Sequence, residues 1–170
     1  MNRSLIISVL SFLLFIIFQV MLFKRIVLFN TAFCFVYVAF ILLLPVDTNP
    51  LSLMLIGFAL GLITDVFYDH QGMHAAATVA VAYARNYWLA SIRPQGGYDP
   101  GSAPTVSAQG LIWFLTYITP LLLLHHLILF FIDAGGFGLT GLTLGKTLAS
   151  LLFTLYTLIL HQYFFYKRTR

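Results

Sequence analysis

The chain has 170 residues; 61% are hydrophobic, 8% are charged and the net charge is +4. A soluble domain carries about 25% charged residues, so this composition excludes a water-soluble globular fold, and its hydrophobicity excludes disorder. The nine basic residues stand at the ends of apolar runs and form no patch with interleaved aromatics, which argues against a nucleic-acid partner and makes them topology signals.

A membrane-spanning helix needs about 20 mostly apolar residues, about 17 at the short end. Six such runs follow one another, at about 4–23, 26–44, 51–68, 73–92, 110–132 and 143–165. Each is continuously apolar rather than alternating, so each reads as a helix and not a barrel strand. The first lacks a small-residue cleavage site and is expected to be an uncleaved anchor. Only Lys24 and Arg25 separate it from the second, so the turn there falls either at these residues or near Phe29–Asn30–Thr31. The stretch PVDTNP precedes the third run, a Gly/Pro-rich linker at 93–107 follows the fourth, and Asp133 with Gly135, Gly136, Gly138 and Gly141 forms the turn before the sixth. The predicted fold is an all-α integral membrane protein, one domain over 1–170, built as a bundle of six transmembrane helices. The lone cysteine, Cys34, excludes a disulfide framework and is expected to be a buried apolar side chain.

With six spans both termini share a side. That side holds Arg3, Arg93, Lys167, Arg168 and Arg170, against Lys24, Arg25 and Lys146 opposite, which places both termini in the cytoplasm. Arg85 is expected to snorkel toward the same side.

Ionisable residues inside a membrane are costly and are functional suspects by default. The third run carries Gly57, Gly61, Asp65 and Asp69 in steps of four, which keeps them on one helix face. The glycines permit close approach of another helix, either a partner's or one of the chain's own, and Gly141 and Gly145 repeat the spacing at the start of the sixth run. The fourth run places His74, Thr78 and Arg85 on one polar stripe. Together Asp65, Asp69, His74, Thr78 and Arg85 form a candidate buried polar cluster. In a hairpin of these two runs, Asp65 is expected to accept from His74 or from a backbone amide near Gly72; the alternative is a proton relay. Asp69, His70 and His74 are the candidate metal set, but Gly72 interrupts their helix and no further ligands accompany them, so no metal and no cofactor are expected. His125 and His126 are adjacent and diverge by about 100° on a helix, a poor chelate without an assigned role; His161 reads as an interfacial histidine. No nucleophile elbow, metalloprotease or phosphate-loop motif is present, so the chain is not expected to be an enzyme.

The stretch 57–85, GFALGLITDVFYDHQGMHAAATVAVAYAR, with Gly57, Gly61, Asp65, Gly72, His74–Ala75 and Ala82–Tyr83, resembles the signature of the rod shape-determining protein MreD family. Gln19, the length, the six runs and the short basic C-terminus agree with it. The resemblance implies a non-enzymatic scaffold of the bacterial inner membrane, part of the elongation complex that controls cell shape and peptidoglycan synthesis. It implies an MreC-type bitopic membrane partner and indirect links to MreB filaments and the elongation peptidoglycan synthase. It also implies a fold similar to the substrate-binding membrane subunits of energy-coupling-factor transporters. The competing reading is therefore a small-molecule-binding subunit of a transporter, which requires a cavity with convergent polar groups.

Overall fold

The computed structural model of the chain describes residues 3–165, and the side chains of 9–164. The basic residues Lys167, Arg168 and Arg170, and the side chain of Arg3, lie outside the described residues. The fold is mostly helical. Helix α1 (Arg3–Phe18) runs into one π-helical turn at Gln19–Phe23; a two-stranded hairpin follows, β1 (Val27–Leu28) and β2 (Ala32–Phe33); then come α2 (Val38–Leu42), α3 (Pro50–Tyr68), α4 (Met73–Ser91), α5 (Val106–Gln109), α6 (Leu111–Asp133) and α7 (Thr140–Phe165). By length and composition, three described helices are apolar enough to cross a membrane: α3, α6 and α7 up to Phe164. Helix α4 matches α3 in length, 19 residues or about 28 Å at 1.5 Å per residue. It is less apolar because alanines and a polar stripe occupy its buried face.

The second expected span is not a transmembrane helix. Phe29 and Asn30 take positive φ (52° and 55°) and the Thr31 amide donates to Leu28 O, closing a tight turn in which β1 pairs antiparallel with β2, Val27 opposite Phe33 and Leu28 opposite Ala32. Both central residues left-handed is the geometry that matches strand twist. Residues 34–37 continue without regular structure, fully buried, into the five-residue α2. The physical reason lies in composition. Val27, Thr31, Phe33, Phe35, Val36, Tyr37 and Val38 are β-branched or aromatic and favour extended backbone.

Irregular backbone at membrane depth survives only where protein surrounds it and answers its polar groups. Here side chains do so. The Phe33 amide donates to Ser150 Oγ (2.9 Å) and the Phe35 amide to Thr154 Oγ1 (3.2 Å), both from α7. Gln19 donates to Cys34 O (2.9 Å) and accepts from the Tyr37 amide (3.3 Å). Tyr117 of α6 donates to Leu42 O (2.8 Å). The helices form a jacket around this thread: α3 packs on α4, α4 on α6, α6 on α7, and α7 on β2. Pro120 deprives the Thr116 carbonyl of its helical partner, and the Trp88 indole N–H of α4 takes its place (3.2 Å).

Glycine decides how α3 meets α4. A Cβ on Gly61 would lie 2.4 Å from Ala75 Cα, and one on Gly57 would lie 3.3 Å from Thr78 O. This pair packs inside the domain, which decides between the two alternatives in favour of one of the chain's own helices. Gly141 and Gly145 have open space above them.

Candidate functional site: a histidine-lined cavity

Helix α3 ends at Asp69, which adopts a left-handed conformation (φ 57°), and α4 starts after Gly72, also at positive φ (86°). Gly72 has no side chain to cap the new helix. Asp65, one turn back in α3, supplies the cap: Oδ1 accepts from the His74 amide and Oδ2 from the Ala75 amide, each at 2.9 Å. A carboxylate at a helix N-terminus satisfies otherwise orphaned donors and meets the positive end of the helix dipole. Asp65 therefore accepts from backbone amides near Gly72 and not from the His74 ring. One step along, Thr78 Oγ1 stands 2.9 Å from Gly57 O and 2.7 Å from His74 O, bridging the two helices.

The candidate cluster divides. Asp65, His74, Thr78 and Arg85 are buried; Asp69 is exposed, because the left-handed cap turns it outward, and it leaves the cluster. Arg85 does not snorkel. It is 0% exposed: Nε donates to Tyr117 Oη (2.9 Å), Nη1 to Asn86 Oδ1 (3.4 Å), and Nη2 to Leu44 O and Pro45 O. Its positive charge sits at the carbonyl end of α2, which favours a cation.

The other end of α4 is hollow. A cavity of about 300 Å³ is lined by Lys24, Tyr68, His70, His74, Asp133 and Lys146, with Phe33, Phe35 and Phe130 among its apolar walls. Lys146 pairs with Asp133 (2.8 Å) and lies over the Phe33 and Phe130 rings. Lys24 donates to Phe67 O and lies over the Tyr68 ring. Behind the cavity runs a relay that the sequence left without a role: Tyr37 Oη is 2.9 Å from His74 Nδ1 and 2.7 Å from His125 Nε2. The single phenol proton allows two arrangements. Either His74 donates to Tyr37 and Tyr37 to His125, or the order is reversed. His126 is fixed: Nδ1 donates to Leu122 O (2.6 Å). Nε2 is then the acceptor for Thr154 (3.3 Å), whose oxygen already accepts from Phe35.

Asp65, His70 and His74 are brought together, each with a ligand-competent atom within 4.8 Å of the others'. The sequence named Asp69 as the carboxylate of this set; the turn geometry substitutes Asp65. Sequence reasoning also missed Tyr37, Tyr117 and the α7 stripe Thr143, Thr147, Ser150 and Thr154. The stripe was visible as Ser/Thr at helical spacing on an apolar run; the tyrosines carried no signal of their own. No family model, curated protein or solved structure matches the chain at a significant level.

Proposed function

We propose that the chain is a non-enzymatic inner-membrane scaffold of the bacterial elongation machinery, of the MreD type. In this reading it binds an MreC-type bitopic protein, connects through it to MreB filaments and the elongation peptidoglycan synthase, and so helps set cell shape. The observation that carries this reading is the use of residues behind the resemblance: Gly57 and Gly61 seat α4 and Asp65 caps it, while Thr78, within the same stretch, bridges back to α3. These are architectural tasks, and they occupy the side chains of Asp65 and Thr78. The open glycines of α7, Gly141 and Gly145, flanked by exposed Leu142, Leu144 and Leu148, then offer a surface on which a single transmembrane helix can approach closely.

Six passes with both termini in the cytoplasm form part of the proposal, the second pass being the threaded segment rather than a helix. The course of the chain supports it. Lys24, His70, Asp133 and Lys146 meet at one end, while Gly101 and Ser102 of the linker bond to Asp47 and Val46 at the other. Cysteine labelling tests it, with Cys34 buried and contributing little background. In intact cells Gln71→Cys should react with an impermeant reagent and Gln95→Cys should not; the reverse pattern inverts the topology. Co-purification tests the partner: Gly141→Leu with Gly145→Leu should lower recovery of the bitopic protein while membrane insertion and monodisperse elution persist. Unchanged recovery sinks the α7 surface. One observation favours the transporter-subunit reading instead, the cavity beside Asp65 and His74, which has convergent polar groups of the kind a ligand site requires.

A further inference from the structure

We infer that Asp65, His70 and His74 form a binding site for a divalent transition-metal ion of the zinc class. The inference takes its place in the fold from the cavity and is independent of the scaffold reading.

The donor set comes first. Two imidazoles and one carboxylate with an open fourth position are the ligands of an open tetrahedral zinc site. The donors' ligand atoms lie within 4.8 Å of one another, against about 3.4 Å between ligand atoms in a tetrahedron with bonds of about 2.0–2.1 Å. Closing that gap of up to about 1.4 Å falls to His70, which is half-buried on the turn, while Asp65 and His74 are held fast.

The second observation is independent of the clustering. His74 is 1% exposed and lines the cavity, yet its Nε2 has no hydrogen-bond partner; the buried Nδ1 of His70 has none either. Native interiors rarely leave such atoms unanswered, and an ion explains both at once. The rings of His70 and His74 are parallel to within 12°, with centroids 5.2 Å apart.

The surroundings match what metal ligands need behind them. A ligating imidazole usually donates its other N–H to a fixed acceptor. With metal on Nε2, His74 keeps its proton on Nδ1 and donates it to Tyr37, which donates onward to His125. Metal binding thus selects one of the two arrangements of the relay. The Asp65 oxygens each accept one backbone amide, which orients the carboxylate and leaves each a lone pair. The cavity admits water as fourth ligand. Lys146 is offset by Asp133, so Lys24 is the cation that opposes the ion. Two nitrogens and one carboxylate select zinc-like ions over magnesium and calcium, which require several oxygens.

The test uses the full chain purified in detergent, without a histidine tag and stripped with chelator. Zinc titrated by calorimetry should bind at one equivalent and raise the unfolding temperature. Cobalt should give the visible absorption of a tetrahedral centre. His70→Ala and Asp65→Asn should each weaken binding at least tenfold, and lowering the pH from 7.5 to 5.5 should release the ion as the imidazoles take up protons. Asp69→Asn should bind as the unaltered chain does. His70 sits at the half-exposed turn, so its variant folds and decides the matter even where a His74 variant fails. Absence of zinc binding overturns the inference. So does binding that survives His70→Ala, which marks an adventitious ion only, or binding lost on Asp69→Asn but kept on Asp65→Asn. None of these outcomes bears on partner co-purification, which tests the scaffold reading separately.

Discussion

Helix α4 carries a buried polar group toward each end, and the two ends are built on opposite terms. At Arg85, each guanidinium nitrogen has a partner, and those partners include the Leu44 and Pro45 carbonyls just after α2. At His74, eleven residues and about 16 Å earlier, the ring nitrogen that faces the cavity has no partner at all. Both were functional suspects by the same membrane argument. The comparison shows that expense alone does not identify function: Arg85 is buried because the threaded segment leaves carbonyls exposed, whereas nothing in the architecture requires the free nitrogen of His74.

The largest effect should come at the filled end. Arg85→Leu leaves the buried Tyr117 hydroxyl and the partly buried Leu44 and Pro45 carbonyls short of a donor. Each buried unsatisfied group costs about 1–3 kcal/mol, so a loss of roughly 3–5 kcal/mol is expected. Aggregation in detergent or a steep fall in unfolding temperature would register it. A well-behaved Arg85→Leu protein would mean that the thread finds other donors, and the contrast between the two ends would lapse.

Gly61→Ala comes next, since its Cβ meets the α4 backbone at Ala75 and no flexible side chain can yield. Overpacking of this kind costs about 1–3 kcal/mol. Gly145→Ala is the control; with open space above it, the change should be neutral or slightly stabilising through helix propensity. Equal effects at the two positions would place the tight helix contact elsewhere.

The α3–α4 hairpin was largely legible in the sequence. Steps of four gave the glycine face, and Asp65 was separable from the solvent because it lies deeper in the apolar run. Which of its two expected donors it meets, the His74 ring or backbone amides near Gly72, was not legible, since that depends on the left-handed turn at Asp69 and Gly72. The segment 26–44 was misread for a physical reason. Hydropathy reports burial, and this stretch is buried; it does not report backbone conformation when the burial is by protein rather than lipid. The compensating signal was dispersed over Gln19, Tyr117, Ser150 and Thr154, four helical residues from three distant parts of the chain. His125 and His126 were unreadable for the same reason: adjacent residues diverge on a helix, and here each reaches a different partner, Tyr37 and Leu122.

Asp65 separates a cap from a catalyst. Asp65→Leu leaves the buried His74 and Ala75 amides without acceptors, at about 1–3 kcal/mol. Asp65→Asn keeps one acceptor oxygen and should lose less than about 1 kcal/mol, read as unfolding temperature in metal-free buffer. Partner binding should follow the same order. If Asp65→Asn stays folded and bound to the partner yet fails to support rod shape, the carboxylate does more than cap α4, and proton chemistry becomes the better account.

The smallest effect should be at His70, and there the contrast is tested most finely. Its buried nitrogen has no hydrogen bond to lose, and its ring rests on His74 at the rim of a cavity rather than in a packed interior. Without metal, His70→Leu should change stability by no more than about 0.5 kcal/mol, the range of substitutions that break nothing, and a gain is the expected sign because an unanswered polar atom is replaced by carbon. Thermal unfolding of the chelator-treated protein measures this directly. A loss comparable to that of Arg85→Leu would show that His70 answers a structural demand as Arg85 does, and the two ends of α4 would then differ only in how much space surrounds them.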